Sequence, residues 1–500
     1  MVTRISGMAS GMDIDSLVKS LMATRQGPLN KLNQQKQILE WQRDDYRKMS
    51  TKLVTFMQDS ISKLSQSSTI NAQKATVTGN TGALTATASS SASGTFEVKV
   101  KQLASASQTV SDGDVNQAKN DPLLSTVAGG ALSLTINGET ITADSTAKVS
   151  DFVKQINANT KAGVTAVYDS TSGKMSLTNK TSGSTAVDVS GTLAGSSGFN
   201  FKAVAGSGQN SIIEVNGLEI SNAKNQVEVN GVTLTLNAVT QAGDAATTIT
   251  VTKDTDKVVK AVQDFVTAYN DVLSSVNSKI GEERYKKYTP LTSEQRKEMS
   301  DDEAKLWDDK AKSGMLKNES ILQRTVSDMR SAFIQGVDIG RTEVVGGVTK
   351  SKPLTMTELG ITTGTYDTKG KISVDVDKLK AALNDNPDIV NQFFGQNYSK
   401  ATLNNNYAAE DGILAKMRKI STGSLASLAE KAGTSKVSSD LTSTFLATSL
   451  MGQRLTSIDR EITGWNSRLN RIETNYYKQF TAMETAMNKY NTTMSSLSSM

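Results

Sequence analysis

The sequence predicts an α+β multidomain fold: long terminal helices (coiled-coil-like legs) bracketing antiparallel β-rich head domains. Three observations predict it. Heptad-spaced apolar residues run through both ends of the chain. Thr-, Ser- and Val-rich alternation with Asn-Gly pairs fills the middle. At 500 residues, the chain exceeds what a single core organises.

Taken in order, residues 13–22 read as a short amphipathic helix. Asp13 or Asp15 can cap it, and Leu17, Val18, Leu21 and Met22 share a face. Residues 28–64 follow as a long helix, with Pro28 suited to its first turn. Leu32, Leu39, Tyr46 and Leu53 fall seven apart, with Met49 and Phe56 on the adjoining line, where Gln35 and Gln42 weaken the early part. From about 71 to 253 the aromatics reduce to Phe96, Phe152, Tyr168, Phe199 and Phe201. Strand alternation recurs at 95–100, before Asn137-Gly138, and at 164–168, 174–178, 212–220 and 232–236. The Asn-Gly pairs at 137–138, 216–217 and 230–231 predict tight hairpins, and one short helix, 150–159, interrupts.

Helix returns at 254–280, where Val258, Val262, Phe265, Tyr269, Val272 and Val276 form a seam that Asp254 or Asp256 can cap. Residues 282–312 carry nine acids against eight bases and read as a solvated helical face rather than a binding strip. More helix is expected at 315–335, then a strand leading into a helix over 370–394, with Pro387 near a new turn. The Ser-, Asn-, Gly- and Ala-rich stretch 395–440 predicts looser structure, before helix resumes at 441–500. Helices at both ends can pair with each other and leave the β modules at the far end.

Composition removes whole classes of chemistry. The chain has no Cys and no His, so disulfides, zinc and iron–sulfur sites, thiol catalysis and imidazole bases are excluded. Its 55 basic and 50 acidic residues make a nearly balanced surface, which is no nucleic-acid footprint. No apolar run reaches the length of a membrane span. The amino terminus has no apolar h-region, and Asp13 and Asp15 stand where one would lie, so no cleaved signal is read there. Motif searches add nothing catalytic. The stretch "GTYDTKGKI" lacks the spacing and the Ser/Thr of a phosphate loop. The Asp pairs at 13/15, 254/256 and 375/377 lack the Gly and Glu of a calcium loop and read as caps and turns. Ser16 and Lys19 match a nucleophile spacing without any supporting motif, and "GMASG" lies outside any apolar 20-mer. No cofactor is expected, and no enzyme.

The last helix carries the most specific signal. Leu455, Ile458, Ile462, Trp465, Leu469, Ile472 and Tyr476 alternate spacings of three and four, a strong a/d stripe. The next such position is the polar Gln479, and the stripe restarts at Phe480, continuing through Met483, Met487, Tyr490, Met494 and Leu497. Two consecutive steps of four amount to a stutter, which locally unwinds a supercoil. The seam of this one long helix, 455–497, is therefore expected to divide into two parts near Tyr476. The first part would pack permanently against residues 39–64, with a pairing core of Leu39, Tyr46, Met49, Leu53 and Phe56 facing Leu455 to Tyr476. The second part, rich in adaptable Met, would serve a partner: residues 1–35, other copies, or a different protein.

Six stretches together resemble one family. They are "ISGMASGMDIDSLVKSLM", "GTFEVKVKQLASASQ" (94–108), "DTDKVVKAVQDFVTAYNDVL", "YTPLTSEQRKEMSDDEAKLWDDKAKSGMLKNESIL" (288–322), "TELGITT" with "GKISVDVDKLKAAL", and "YYKQFTAMETAMNKYN". In that order, from residue 5 to the carboxyl end, they resemble the bacterial flagellar filament-capping proteins, the hook-associated protein 2 family. The resemblance implies export through the flagellar channel without a cleaved signal, involving the export apparatus and its chaperone. It implies an extracellular, ring-like homo-oligomer at the distal tip of the flagellum, which retains exported flagellin and helps it fold into the filament. The implied layout has 1–40 and 477–500 as a terminal helical leg contacting the filament. Residues 41–70 and 254–476 form a helical leg domain with a small strand–helix element near 354–394. A β-rich head domain spans 71–108 and 206–253, and an inserted β-rich head domain spans 109–205. The family brings no catalytic residues. Filament-contact candidates, chosen from the stripe, are Phe480, Met483, Met487, Tyr490, Met494 and Leu497, with Leu17, Leu21, Leu29 and Leu32 opposite. Two alternatives remain: another axial protein (flagellin-like or hook–filament junction), and an adhesin whose β head binds host glycans or mucin.

Overall fold

The computed structural model describes residues 11–112, 115–205, 207–400 and 406–498. Residues 1–10 and 499–500 of the expected terminal leg lie outside the described residues, as do 113–114, Gly206 and 401–405. The chain separates into two compact units, Met1–Ile70 with Asp256–Met500, and Asn71–Thr255.

The chain enters the first unit through α1 (Ile14–Arg25), then α2 (Gly27–Thr55). Asp13 caps α1 by accepting from the Ser16 N–H at 3.0 Å, and Pro28 sits in the first turn of α2. A π-helical turn, Phe56–Ile61, ends α2. Such a turn rotates the buried face relative to a regular helix.

The second unit holds two cores. In the first, a five-stranded antiparallel sheet runs in the order Gln73–Thr78, Thr247–Lys253, Thr95–Gln102, Ser211–Val215, Leu218–Asn222. A three-stranded sheet of Gln226–Val229, Val232–Leu236 and Leu84–Ala88 shares its core. The alternation read in the sequence is the cause: Phe96, Val98 and Val100 are buried while the residues between them face water. The second core joins a four-stranded sheet containing Val164–Asp169 and Lys174–Ser182 to a three-stranded one containing Ser133–Ile136, beneath α3 (Val149–Ala158). All three Asn-Gly pairs form hairpin turns with both residues at positive φ: 50° and 84° at Asn137-Gly138, 46° and 85° at Asn216-Gly217, 49° and 77° at Asn230-Gly231. Two-residue turns of this hand match the twist of the strands they join.

The chain returns to the first unit with α4 (Thr255–Gly281), whose predicted seam from Val258 to Val276 is buried throughout. The charged stretch folds into Ser293–Lys297 and α5 (Asp301–Lys312), each opened by a reciprocal capping box. Next come α6 (Ser320–Gln335), an exposed hairpin of Thr342–Val345 with Val348–Ser351, and a small hairpin of Ile361–Thr363 with Ile372–Val374 leading into α7 (Val376–Asp385). Asp375 caps α7, as Asp13 caps α1, so two of the three Asp pairs supply caps. Aromatic rings knit the interior: Phe265 of α4 lies 5.7 Å from Phe56, 6.4 Å from Phe333 and 5.5 Å from Phe394.

One expectation is corrected. The stretch 395–440, expected to be loose, contains α8 (Ile413–Ala432), a central helix that buries Leu414, Met417, Leu425 and Leu428. Of its small residues, Ala415, Ser421, Ser424, Ala429 and Ala432 are buried, so small side chains there mark close packing instead of disorder. The last helix, α9, runs unbroken over Leu450–Ser498, as one long helix with a two-part seam requires. A stutter changes the phase of the apolar stripe without interrupting the backbone hydrogen bonds.

Candidate functional site

The terminal helices pair in opposite directions. Three contacts show the sense: the Tyr477 hydroxyl donates to Asp15 Oδ1 at 2.8 Å, Lys36 Nζ meets Asp459 Oδ1 at 2.7 Å, and the Arg43 guanidinium lies over the Phe445 ring at 4.1 Å. As α1 and α2 advance, α9 runs back. The Asp459 carboxylate holds the Lys36 ammonium above its ordinary range. Both groups are exposed, and such a pair contributes at most about 1 kcal/mol, so registration rests on the apolar contacts.

Those contacts form one cluster. Ile14, Val18 and Met22 of α1 bury against Leu469, with Leu29, Ile472, Tyr476, Tyr477 and Phe480 packed around them. The spacing of Ile14, Val18 and Met22 by four residues puts them on one face of α1. That signal was present in the sequence, but Leu17 and Leu21 lie on the neighbouring face and compete for the same reading. In the structure Leu17 is 39% exposed, and Leu21, Leu29 and Leu32 are half-buried. Ile14, Asp15 and Tyr477 were not anticipated as contacts.

The expected pairing core divides between two places. Leu455, Ile458 and Leu469 are buried, while Leu39, Ile462, Trp465, Ile472 and Tyr476 are half-buried along the antiparallel pair. Tyr46, Met49, Leu53 and Phe56 are buried too, and Tyr46 and Phe56 meet partners outside α9. Tyr46 donates to Glu319 at 2.5 Å, Ser50 bonds Thr434 at 2.8 Å, and Phe56 stacks on Phe265. The reason is register: with Lys36 opposite Asp459 in an antiparallel pair, the first residue of α9, Leu450, falls opposite about residue 45, so the rest of α2 runs past the start of α9. Residues 46–56 therefore pack into the helical interior, and α9 meets the earlier part of α2.

Past the stutter the seam opens. Phe480, Met483 and Met487 are half-buried, whereas Tyr490 is 72% exposed, Met494 68% and Leu497 66%. Among the described residues nothing covers these last three, which face water at intervals of four and three on an intact helix. Three large apolar side chains in a row that the described residues leave exposed are a candidate contact surface. Chemistry of other kinds is missing from the described residues: no group of three or more acidic, His or Cys side chains could hold a metal, and no helix is long and apolar enough to cross a membrane. Ser16, which matched a nucleophile spacing, spends its hydroxyl on Asp13 at 2.6 Å.

Comparison with known proteins agrees with this arrangement. Residues 10–107 match the family model for the flagellar hook-associated protein 2 N-terminus, and residues 208–492 match that for its C-terminus. A flagellar hook-associated protein 2 from Halalkalibacterium halodurans is 29% identical over an alignment of 551 residues, covering 99% of each chain. Another, from Thermotoga maritima, is 28% identical over 290 residues, 55% of this chain and 43% of its own length. Among solved structures, the D1–D2–D3 domains of the flagellar cap protein FliD from Escherichia coli align with a TM-score of 0.54 at 22% identity, covering 83% of this chain and 99% of that one. The fold is thus shared with that structure. The chain belongs to the flagellar hook-associated protein 2 family, the proteins of the filament cap.

Proposed function

We propose that copies of this chain assemble into a ring-like cap at the distal end of the flagellar filament, where they retain exported flagellin and promote its folding and insertion. In this reading the antiparallel pair of α1–α2 with α9 is the leg, and the last turns of α9 touch the filament end. One observation carries it: the apolar strip Tyr490–Met494–Leu497 emerges from a well-packed helical pair and stays uncovered. An adaptable Met-containing strip suits a partner surface that changes with each added subunit.

The test separates the strip from the fold. A chain carrying Y490S, M494S and L497S keeps every buried contact of the pair, since the three side chains face water. Cells expressing it in place of the natural chain should shed unpolymerised flagellin into the medium and carry short or absent filaments by electron microscopy. Filaments of normal number and length would overturn the assignment of the strip. A variant ending at Thr485 should behave in the same way, with the Ile14–Val18–Met22 cluster intact.

A further inference from the structure

Two surfaces of opposite charge lie on nearly opposite sides of α2. Leu29 and Lys36, seven residues apart, meet α9. Gln34 and Trp41, also seven apart, meet the charged stretch. Gln34 donates to the Pro290 carbonyl at 2.8 Å, and Lys312 Nζ of α5 lies 5.2 Å from the centre of the Trp41 ring. Five residues separate Leu29 from Gln34 and Lys36 from Trp41, a rotation of about 140° around the helix. The body of α2 therefore stands between α5 and α9.

The α5 side is acidic: residues 293–309 hold seven acids against three bases, a net charge of −4. On its open face Leu306 is 65% exposed, with Asp302 four residues before it and Asp309 three after, both exposed. Among the described residues neither carboxylate is in an ion pair. The α9 side is basic. Arg454, Arg460, Arg468 and Arg471 are exposed, and among the described residues none meets a carboxylate within ion-pair distance. Arg468 rests on the Trp465 ring at 5.0 Å, which leaves its N–H edge free. Four residues from both Arg460 and Arg468 stands Gly464, turned about 140° around the helix from the buried Leu469. Glycine weakens a helix interior, and a Cβ at 464 would meet nothing within 4 Å. The chain by itself thus gains nothing from bare backbone at this position.

We propose that these two surfaces join neighbouring copies of the chain, the open face of α5 in one copy seating on the outer face of α9 in the next. The occupant is a second copy because sign, spacing, direction and height all match. Asp-Leu-Asp meets Arg-Gly-Arg, with Leu306 over the bare backbone of Gly464, Asp302 beside Arg468 and Asp309 beside Arg460. Direction follows from α2. Trp307 donates to the Thr289 carbonyl near Gln34 and Lys312 reaches Trp41, so α5 advances with α2 and runs opposite to α9. Height follows from register. With Lys36 opposite Asp459, Gln34 and Trp41 stand level with about residues 461 and 454 of α9, which puts Leu306 within about one turn of Gly464. Rotation about a ring axis along the helices preserves height, and two unlike surfaces make a heterologous contact that closes into a ring. Exposed ion pairs contribute little each, so the charges chiefly set register and reject the reversed docking. This inference rests on the ring reading above and adds which faces join.

The chain has no Cys, so an introduced pair reports this contact alone. The full chain carrying L306C and G464C is oxidised with copper phenanthroline and run on a non-reducing gel. Because α2 separates the two positions within a copy, every disulfide joins copies. The expected product is a ladder of covalent multimers ending at one closed ring. Either single variant alone should give no ladder, and an equimolar mixture of the two should stop at the dimer. In sedimentation, D302R with D309R should weaken self-association at least about tenfold, as should R460D with R468D, and all four changes together should restore it. Oligomers without a ladder would overturn this interface and leave the ring reading standing, and failure of the fourfold variant to recover would overturn the pairing of charges. If the purified chain sediments as a monomer at every concentration, the oxidation is repeated on filament-bearing cells. Normal filaments without a ladder would then overturn the interface, while retention of flagellin by those cells would leave the cap reading intact.

Discussion

Replacing Glu319 by Ala should destabilise the helical unit by about 3 kcal/mol, and the structure supplies each part of that figure. Glu319 is 8% exposed and stands at the start of α6, where Oε1 accepts from the Ile321 N–H at 3.2 Å. Losing this cap costs about 1 kcal/mol. Its Oε2 accepts from the buried Tyr46 hydroxyl at 2.5 Å, and an orphaned buried hydroxyl costs about 1–3 kcal/mol. The Lys431 ammonium, 2.8 Å away, is 36% exposed on its side chain and recovers water, so its loss adds at most about 1 kcal/mol. E319Q keeps one acceptor oxygen, for the Ile321 N–H, while its amide N–H can donate to the Tyr46 hydroxyl in a reversed bond, so it should cost about 1 kcal/mol. All three Trp residues, Trp41, Trp307 and Trp465, lie in this unit, so their fluorescence follows its unfolding alone. With a urea m-value near 3 kcal/mol/M, E319A should lower the midpoint by about 1 M. Acid adds a second signature. Burial pushes the Glu319 carboxyl up, but Lys431, Tyr46 and the Ile321 N–H outweigh it and hold the group below its ordinary value. A depressed folded value means that the stabilisation is full above the unfolded-state value and is lost as pH falls through the folded one. The gap between E319A and the natural chain should thus be constant through neutral pH and close in acid. A midpoint for E319A within about 0.2 M of the natural chain, or E319Q as damaging as E319A, would refute the argument.

Other expectations follow from single contacts. Val18 is 1% exposed in the cluster that docks α1, so V18D should release that helix and speed tryptic cleavage after Lys19 and Arg25 at least about tenfold; L17S, at an exposed site, should leave the rate unchanged. The Arg341 guanidinium, bonded to Glu358 through both oxygens, holds that carboxyl down at about 2, helped by the Thr355 N–H. Carbon NMR should find Glu358 ionised until strong acid, with its stabilisation lost as pH falls through that value, and R341Q should return it toward the ordinary range. Amide exchange along α9 should be slow from Leu455 to Phe480 and fast beyond Tyr490, following the loss of packing; uniform protection would contradict the open seam.

Much of this architecture was legible because local chemistry decided it. The Asn-Gly hairpins could be read from two residues each, since the backbone conformation they permit is the one the turn demands. The α4 seam was equally plain, being a single face of period 3.6 with nothing competing for it. What failed was nonlocal. The small residues of α8 carry no helical signature strong enough to show that the helix is central, and Lys416, fully buried there and bonded to the Gly336 carbonyl at 2.6 Å, reads as a surface residue in any pattern. The partner of Tyr46 and Phe56 depended on the register of α2 against α9, set by contacts hundreds of residues apart such as Lys36 with Asp459. At the candidate surface, the stripe itself was visible. The boundary between its packed and open halves came from α1, whose competing faces at Ile14 and Leu17 the sequence could not rank.

The unbroken course of α9 has a mechanical consequence. A helix covered along one side as far as Met487 and exposed beyond it is a cantilever. From Met487 to Leu497 the exposed arm is about 15 Å long at about 1.5 Å per residue. A sideways push at Leu497 therefore becomes a torque on the clamp formed by Ile14, Val18, Met22 and Leu469, with Tyr477 and Asp15 beside it. Each degree of tilt where that arm begins displaces the tip by about 0.3 Å. Whatever touches the end of α9 thus loads the α1 joint, and had the helix broken at Tyr476 the same push would have dissipated in a hinge.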